Sequence, residues 1–123
     1  MPPLPFWQAL NATALIKLLE LIPYLRDPST LAAFYRRQGM NPDEEEYSIY
    51  MEGHKRLESN VRVFAPEETG DESRFEHEGH TYVELLPVFL AVDLLAEDPA
   101  LQGPLVTDTT RAERLVHYSV YDA

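Results

Sequence analysis

The sequence predicts an α+β fold: two N-terminal helices, a small antiparallel sheet, a buried central helix and a C-terminal helix. Three observations carry this prediction. Apolar residues recur at helical spacing near both ends of the chain. Short alternating runs with turn residues between them fill residues 47–83, and residues 82–96 (YVELLPVFLAVDLLA) hold only Glu84 and Asp93 as charges. In that last run Pro87 suits a helix's first turn, where a missing N–H costs nothing, so a strand is expected over residues 81–85 and a helix over 87–97. A helix apolar on nearly every side is expected to be covered on nearly every side, with the flanking elements wrapped around it.

Taken in order, Trp7, Leu10, Ala14, Leu18, Leu21 and Leu25 predict a first helix over about residues 5–21, ended or bent by Pro23. Asp27-Pro28 then gives an N-cap followed by proline at the first helical position. Leu31, Phe34 and Tyr35 form the apolar face of this second helix, and Gly39 stands where a C-cap belongs. Arg36 and Arg37 fall in its last turn, opposing the negative end of the helix dipole.

Residues 43–46 (DEEE) open a solvated loop or a short helix, and residues 47–51 follow as a strand with Tyr47, Ile49 and Met51 on one face. A turn near Gly53 and a second strand at residues 60–64 complete a hairpin. Residues 65–74 (APEETGDESR) lack apolar periodicity and are expected to be a mobile acidic loop. Phe75-Glu76-His77, a Glu78-Gly79 turn and Thr81-Tyr82-Val83 form another hairpin. A cap at Thr107-Asp108 starts a final helix over residues 109–121, with Ala112, Leu115, Val116, Ser119 and Val120 facing inward and Arg111, Glu113 and Arg114 outward.

At 123 residues and 45% hydrophobic composition, one domain spanning residues 1–123 is expected. No cysteine is present, so disulfides and thiolate chemistry are excluded and a cytoplasmic setting is the default. The prolines at 2, 3 and 5, with no basic residue before the first apolar run, argue against a signal peptide. The run at 82–96 is too short for a bilayer span. The triplet Asn11-Ala12-Thr13 matches a glycosylation acceptor but has no use in that setting.

The net charge of −11 is unevenly placed: residues 1–40 carry +2, residues 41–100 carry −12 and residues 101–123 carry −1. A middle segment of that sign repels nucleic acid and favours a basic protein partner. The candidate partner-binding residues are therefore Asp43, Glu44, Glu45 and Glu46 in one acidic run and Glu67, Glu68, Asp71 and Glu72 in the other. Tyr50 joins them as an aromatic anchor, expected to be partly exposed on its strand, as is Tyr121 near the C-terminus.

Enzyme signatures are missing: there is no phosphate loop, nucleophile elbow, zinc-protease helix or dinucleotide fingerprint. Glu76-His77-Glu78-Gly79-His80 invites a metal reading, but in extended backbone the two histidines are expected on opposite sides, and a surface pair is the plainer reading. His117 is expected to be a half-buried packing residue. Asp93 and Glu97 define a narrow stripe that reaches solvent, and exposed carboxylates such as Glu67 and Glu68 stay ionised rather than share protons. No catalytic residue, metal or cofactor is assigned, and the oligomeric state is left open.

Val61-Arg62-Val63-Phe64-Ala65-Pro66 before an acidic loop, and the ending Arg114-Leu115-Val116-His117-Tyr118-Ser119-Val120-Tyr121-Asp122-Ala123, resemble small acidic bacterial immunity-type proteins. The resemblance covers roughly the second half of the chain and transfers no functional residue position by position. It implies a cytoplasmic inhibitor that binds and blocks a secreted toxin domain, often a nuclease with a basic cleft. The alternatives are a small metal-dependent enzyme built on His77, His80 and nearby carboxylates, and a self-associating subunit or nucleic-acid mimic.

Overall fold

The computed structural model describes residues 16–44 and 46–121. Trp7, Leu10, Ala14, the Asn11-Ala12-Thr13 triplet, Glu45, Asp122 and Ala123 lie outside them. The elements run β1 (Ile16–Lys17), α1 (Leu18–Leu25), α2 (Pro28–Arg37), β2 (Ser48–Glu52), β3 (Asn60–Phe64), α3 (Pro66–Thr69), β4 (Arg74–His77), β5 (His80–Pro87), α4 (Val88–Glu97) and α5 (Asp108–Tyr121), with a 3₁₀ turn at Pro99–Leu101. The strands form one antiparallel sheet in the order β1-β3-β2-β5-β4. The class is α+β, as the sequence predicts.

Ile16 and Lys17, expected within the first helix, are extended. Ile16 and Lys17 pair with Val61 and Asn60 as an edge strand, and the helix begins at Leu18, where the Lys17 N–H donates to Glu20 Oε1 at 3.0 Å. The helix runs through Pro23, which lies on its exposed side, and ends two residues later at Leu25; its buried residues are Leu18, Leu21, Ile22 and Leu25. These four are at most 2% exposed. Their spacing of three, one and three residues is one continuous stripe, and α1 packs through it against α2, α4 and α5. The wrapped helix of this fold is α1.

The central helix α4 is correspondingly less covered than its sequence implies. Val88, Ala91 and Leu95 are buried and Leu90, Val92 and Leu94 partly so, but Phe89 stands 57% exposed beside Asp93. Pro87 is the last strand residue and the N-cap, one position before the helical turn it was expected to join.

α2 follows its punctuation. Asp27 accepts from the Ser29 N–H at 2.9 Å, and at the far end Gly39 (φ +74°) lets its own N–H reach Arg36 O and the Met40 N–H reach Tyr35 O at 2.8 Å. That crossed pair closes the helix in a Schellman motif, which needs the left-handed residue glycine supplies.

The sheet has two unlike faces. Ile49, Met51, Val61 and Leu86 face the helices and join the main core. A register shift between Ile49 and Tyr50 inserts Leu85 as an extra residue, so that two consecutive leucines are both buried, against the strict alternation of a strand. The other face carries a second core of Tyr50, Phe64 and Tyr82 with Phe75 packed against it. Tyr50 is thus 2% exposed rather than open to solvent. Its strand does turn it away from Ile49, but the far side of the sheet is itself covered by aromatic rings, with Phe64 and Phe75 centroids 4.9 Å apart at 88°.

The acidic segment after β3 is likewise structured. Pro66–Thr69 is a helical turn whose Ala65 N–H is capped by Glu68 and whose end is turned by Gly70 (φ +63°), with Thr69 buried. The β4–β5 link is the expected two-residue turn, with Glu78 and Gly79 both at positive φ, the type I′ geometry that matches strand twist.

On α5, Thr107 Oγ1 accepts from the Thr110 N–H at 3.1 Å as the cap. Arg111, expected to point outward, is 4% exposed; its Nη1 donates to Val106 O and to Asp108 Oδ1, both at 2.9 Å. The irregular segment before α5 folds back over it and brings a carbonyl to the guanidinium. Val120, expected inward, is 49% exposed, and Tyr121 is 73% exposed, as expected.

Candidate partner-binding site

An open cleft of about 600 Å³ lies where α2, α4 and the first acidic run meet. One wall is Leu31 and Tyr35, one turn apart on α2; the other is Val88, Phe89, Val92 and Asp93 on α4; Glu44 and Glu46 complete the lining. Phe89 and Asp93 are four residues apart, so an exposed ring and a carboxylate project from the same stretch of helix surface.

Asp43, Glu44 and Glu46 are held by local hydrogen bonds. Asn41 Oδ1 accepts from the Asp43 N–H at 2.9 Å, Asn41 O from the Glu44 N–H at 3.2 Å, and Glu44 Oε1 from the Glu46 N–H at 3.0 Å. The run is anchored below by Tyr47, whose hydroxyl accepts from the Asn41 N–H at 2.9 Å and whose ring lies 4.9 Å from that of Tyr35. Tyr47 O in turn accepts from the Val88 N–H at 2.9 Å, which joins the run to the first residue of α4. Cleft wall, acidic run and sheet are therefore one hydrogen-bonded unit.

The electrostatics connect the two acidic runs. Burial raises the Tyr47 phenol above its ordinary value, and the carboxylates of Glu44, Glu68 and Glu67 raise it further against the lowering effect of the Asn41 N–H. Residues more than twenty positions apart in sequence thus act on one phenol. Burial also raises Tyr35, with Tyr47 adding to it. Burial raises the Tyr50 phenol, and there Glu84, Asp71 and Glu72 add to it against the lowering effect of Thr69.

Of the nine residues assigned from sequence, Glu44 and Glu46 line the cleft, with Asp43 exposed on the same turn. Glu67 is exposed on α3, and Glu68, also exposed, caps that helix. Asp71 and Glu72 are exposed on the segment beyond it, whereas Tyr50 lies beneath that segment. Phe89 and Asp93 were not assigned. Asp93 is legible as the one charge within residues 88–96 of the apolar helix, and the signal for Phe89 is its place four residues before that charge.

The histidines do not follow the sequence expectation. His77 and His80 are register partners across the two-residue turn, so their side chains leave the same face of the sheet rather than opposite faces. They diverge from there: the His77 ring packs 5.2 Å from Phe64, while His80 Nδ1 meets Glu52 Oε1 at 2.6 Å. Among the described residues no three His, Asp or Glu side chains gather as a metal-ligand set, and no helix is long and apolar enough to cross a membrane.

Comparison with known protein families, with curated proteins and with solved structures finds no significant match to this chain.

Proposed function

We propose that this chain is a protein-binding module that captures a basic partner, acting as a cytoplasmic immunity-type inhibitor of a bacterial toxin domain. The observation that supports this most is the carboxylate lining of an apolar cleft, Glu44, Glu46 and Asp93 beside Phe89, in a chain of net charge −11. Apolar surface supplies affinity when water leaves it, and complementary charge selects the partner and speeds its approach. A toxin domain with a basic active-site cleft meets both conditions, because covering that cleft also stops the toxin's own substrate from binding.

The test is affinity capture from source-cell lysate with the full chain, followed by co-expression of the recovered protein with and without it. Recovery of a basic protein whose toxicity the chain suppresses supports the reading. Recovery of neutral or acidic proteins alone, or no protection, contradicts it.

A further inference from the structure

We infer that the cleft between α2 and α4 is an anchor site for a basic helical segment of another protein that presents a large apolar side chain to Phe89 and a lysine or arginine to Asp93. This deepens the proposed function and rests on it, since it names the feature by which a basic partner is recognised.

The charges come first. Among the described residues every charged side chain lining the cleft is a carboxylate, so the site complements a cation and disfavours an acidic segment. The apolar content comes next. Leu31 and Tyr35 form one wall and Val92 flanks Phe89 on the other, so an inserted side chain meets apolar atoms on two sides. Phe89 is 57% exposed while Val88 before it is buried, so among the described residues one large ring at the mouth stands largely uncovered.

The spacing selects the shape of the occupant. Phe89 and Asp93 lie one helical turn apart, about 6 Å along the axis at 1.5 Å per residue. A helix laid along α4 meets that distance with an apolar residue at one position and a base four residues away, the spacing by which amphipathic helices seat in grooves. The rigid backing matters too. Because Tyr47 ties the acidic run to both the sheet and α4, the carboxylates of Glu44 and Glu46 stand ready beside the cleft, and little ordering cost falls on binding.

The probes are three synthetic helical peptides of equal length: lysine–leucine, lysine–alanine and glutamate–leucine. Binding is measured by calorimetry to the full chain and to its Phe89→Ser variant. The lysine–leucine peptide is expected to bind at least about tenfold more tightly than the other two and to lose about tenfold with Phe89→Ser, while the lysine–alanine peptide is indifferent to that change. Backbone amide NMR shifts on adding the lysine–leucine peptide should centre on Leu31, Phe89 and Val92. Equal binding of the two lysine peptides, weakened by salt, overturns the anchor and leaves acidic capture standing. Equal binding of the two leucine peptides overturns charge recognition and with it the proposed function, and no binding by any peptide overturns the anchor. A free protein that is dimeric, and monomeric as Phe89→Ser, also overturns it, because the cleft is then filled by a second copy of the chain.

Discussion

The hydroxyl of Tyr50 donates to the backbone carbonyl of Glu72 at 2.6 Å. A residue in the middle of the sheet thus pins the second acidic run from below. Tyr50 serves the acidic surface as a support, held between the rings of Phe64 and Phe75 at 5.7 and 5.2 Å. Tyr50→Phe keeps the ring and deletes the bond, so a loss of about 0.5–1.5 kcal/mol is expected from denaturant unfolding, together with faster amide exchange around Glu72. Unchanged stability and exchange would show that the bond holds nothing.

Burial divides the apolar residues into structural and free ones. Leu21 is 0% exposed at the centre of α1, and Leu21→Ala should cost about 2–5 kcal/mol out of a total of roughly 5–15 kcal/mol. Phe89→Ser should leave the melting temperature nearly unchanged, because most of that ring is already in water. Thermal unfolding of both variants decides between this ranking and one in which α4 is the buried centre of the fold.

The fold class and most element boundaries were legible because their signals are local. Asp27-Pro28 and Gly39 bound α2 through capping chemistry that needs no tertiary context, and Glu78-Gly79 marks its turn by the same kind of rule. What the sequence hid depends on which surfaces meet. Alternation put Tyr50 opposite Ile49 correctly, but it cannot tell an outer face in water from one roofed by Phe64, Phe75 and Tyr82. Hydrophobic density likewise pointed to α4 as the wrapped helix, whereas the shorter α1 lies between α2, α4 and α5 and is covered more completely. The acidic runs are visible as charge; the cleft beside the first arises only when α2 and α4 are placed.

Arg111 makes a third prediction. Its guanidinium is buried and shares Asp108 Oδ1 with Arg26, whose Nη1 lies 3.4 Å away on the C-cap of α1. Arg111→Ala removes the donor to Val106 O but leaves Asp108 paired and a third exposed, so the expected loss is about 1–3 kcal/mol, less than for a fully buried pair left broken. Asp108→Ala, which strands the buried guanidinium, should cost at least as much. Equilibrium unfolding in urea compares the two, and the reverse order would place the stabilisation in the Val106 contact alone.

Acid sensitivity has a defined direction. Asp98 accepts from the Ala100 N–H at 2.9 Å and from Arg114 Nε at 3.1 Å, which hold its carboxyl below the usual range, the backbone bond contributing most. A carboxyl lowered in the folded state adds stability that is complete above its unfolded value of about 3.9 and is lost as pH falls through the folded value. Asp98→Asn should therefore melt lower than the natural chain near neutral pH, with the gap closing below about pH 4. A gap that stays constant to about pH 2 would mean that ionisation of Asp98 plays no part.

Charge capture is tested most directly by the association rate of the chain with the basic protein it recovers from lysate, measured by stopped flow at low and at high ionic strength. Two sets of charge reversals to lysine are compared with the natural chain: Asp43, Glu44, Glu45 and Glu46 together, and Glu67, Glu68, Asp71 and Glu72 together. Steering by complementary charge raises association by roughly 10- to 1000-fold and weakens with salt. The expected result is a fall of at least about tenfold at low salt for the set that includes the cleft residues Glu44 and Glu46, a smaller fall for the other, and rates that draw together at high salt. Identical rates for all three proteins at low ionic strength would contradict acidic capture and leave the binding to apolar surface alone.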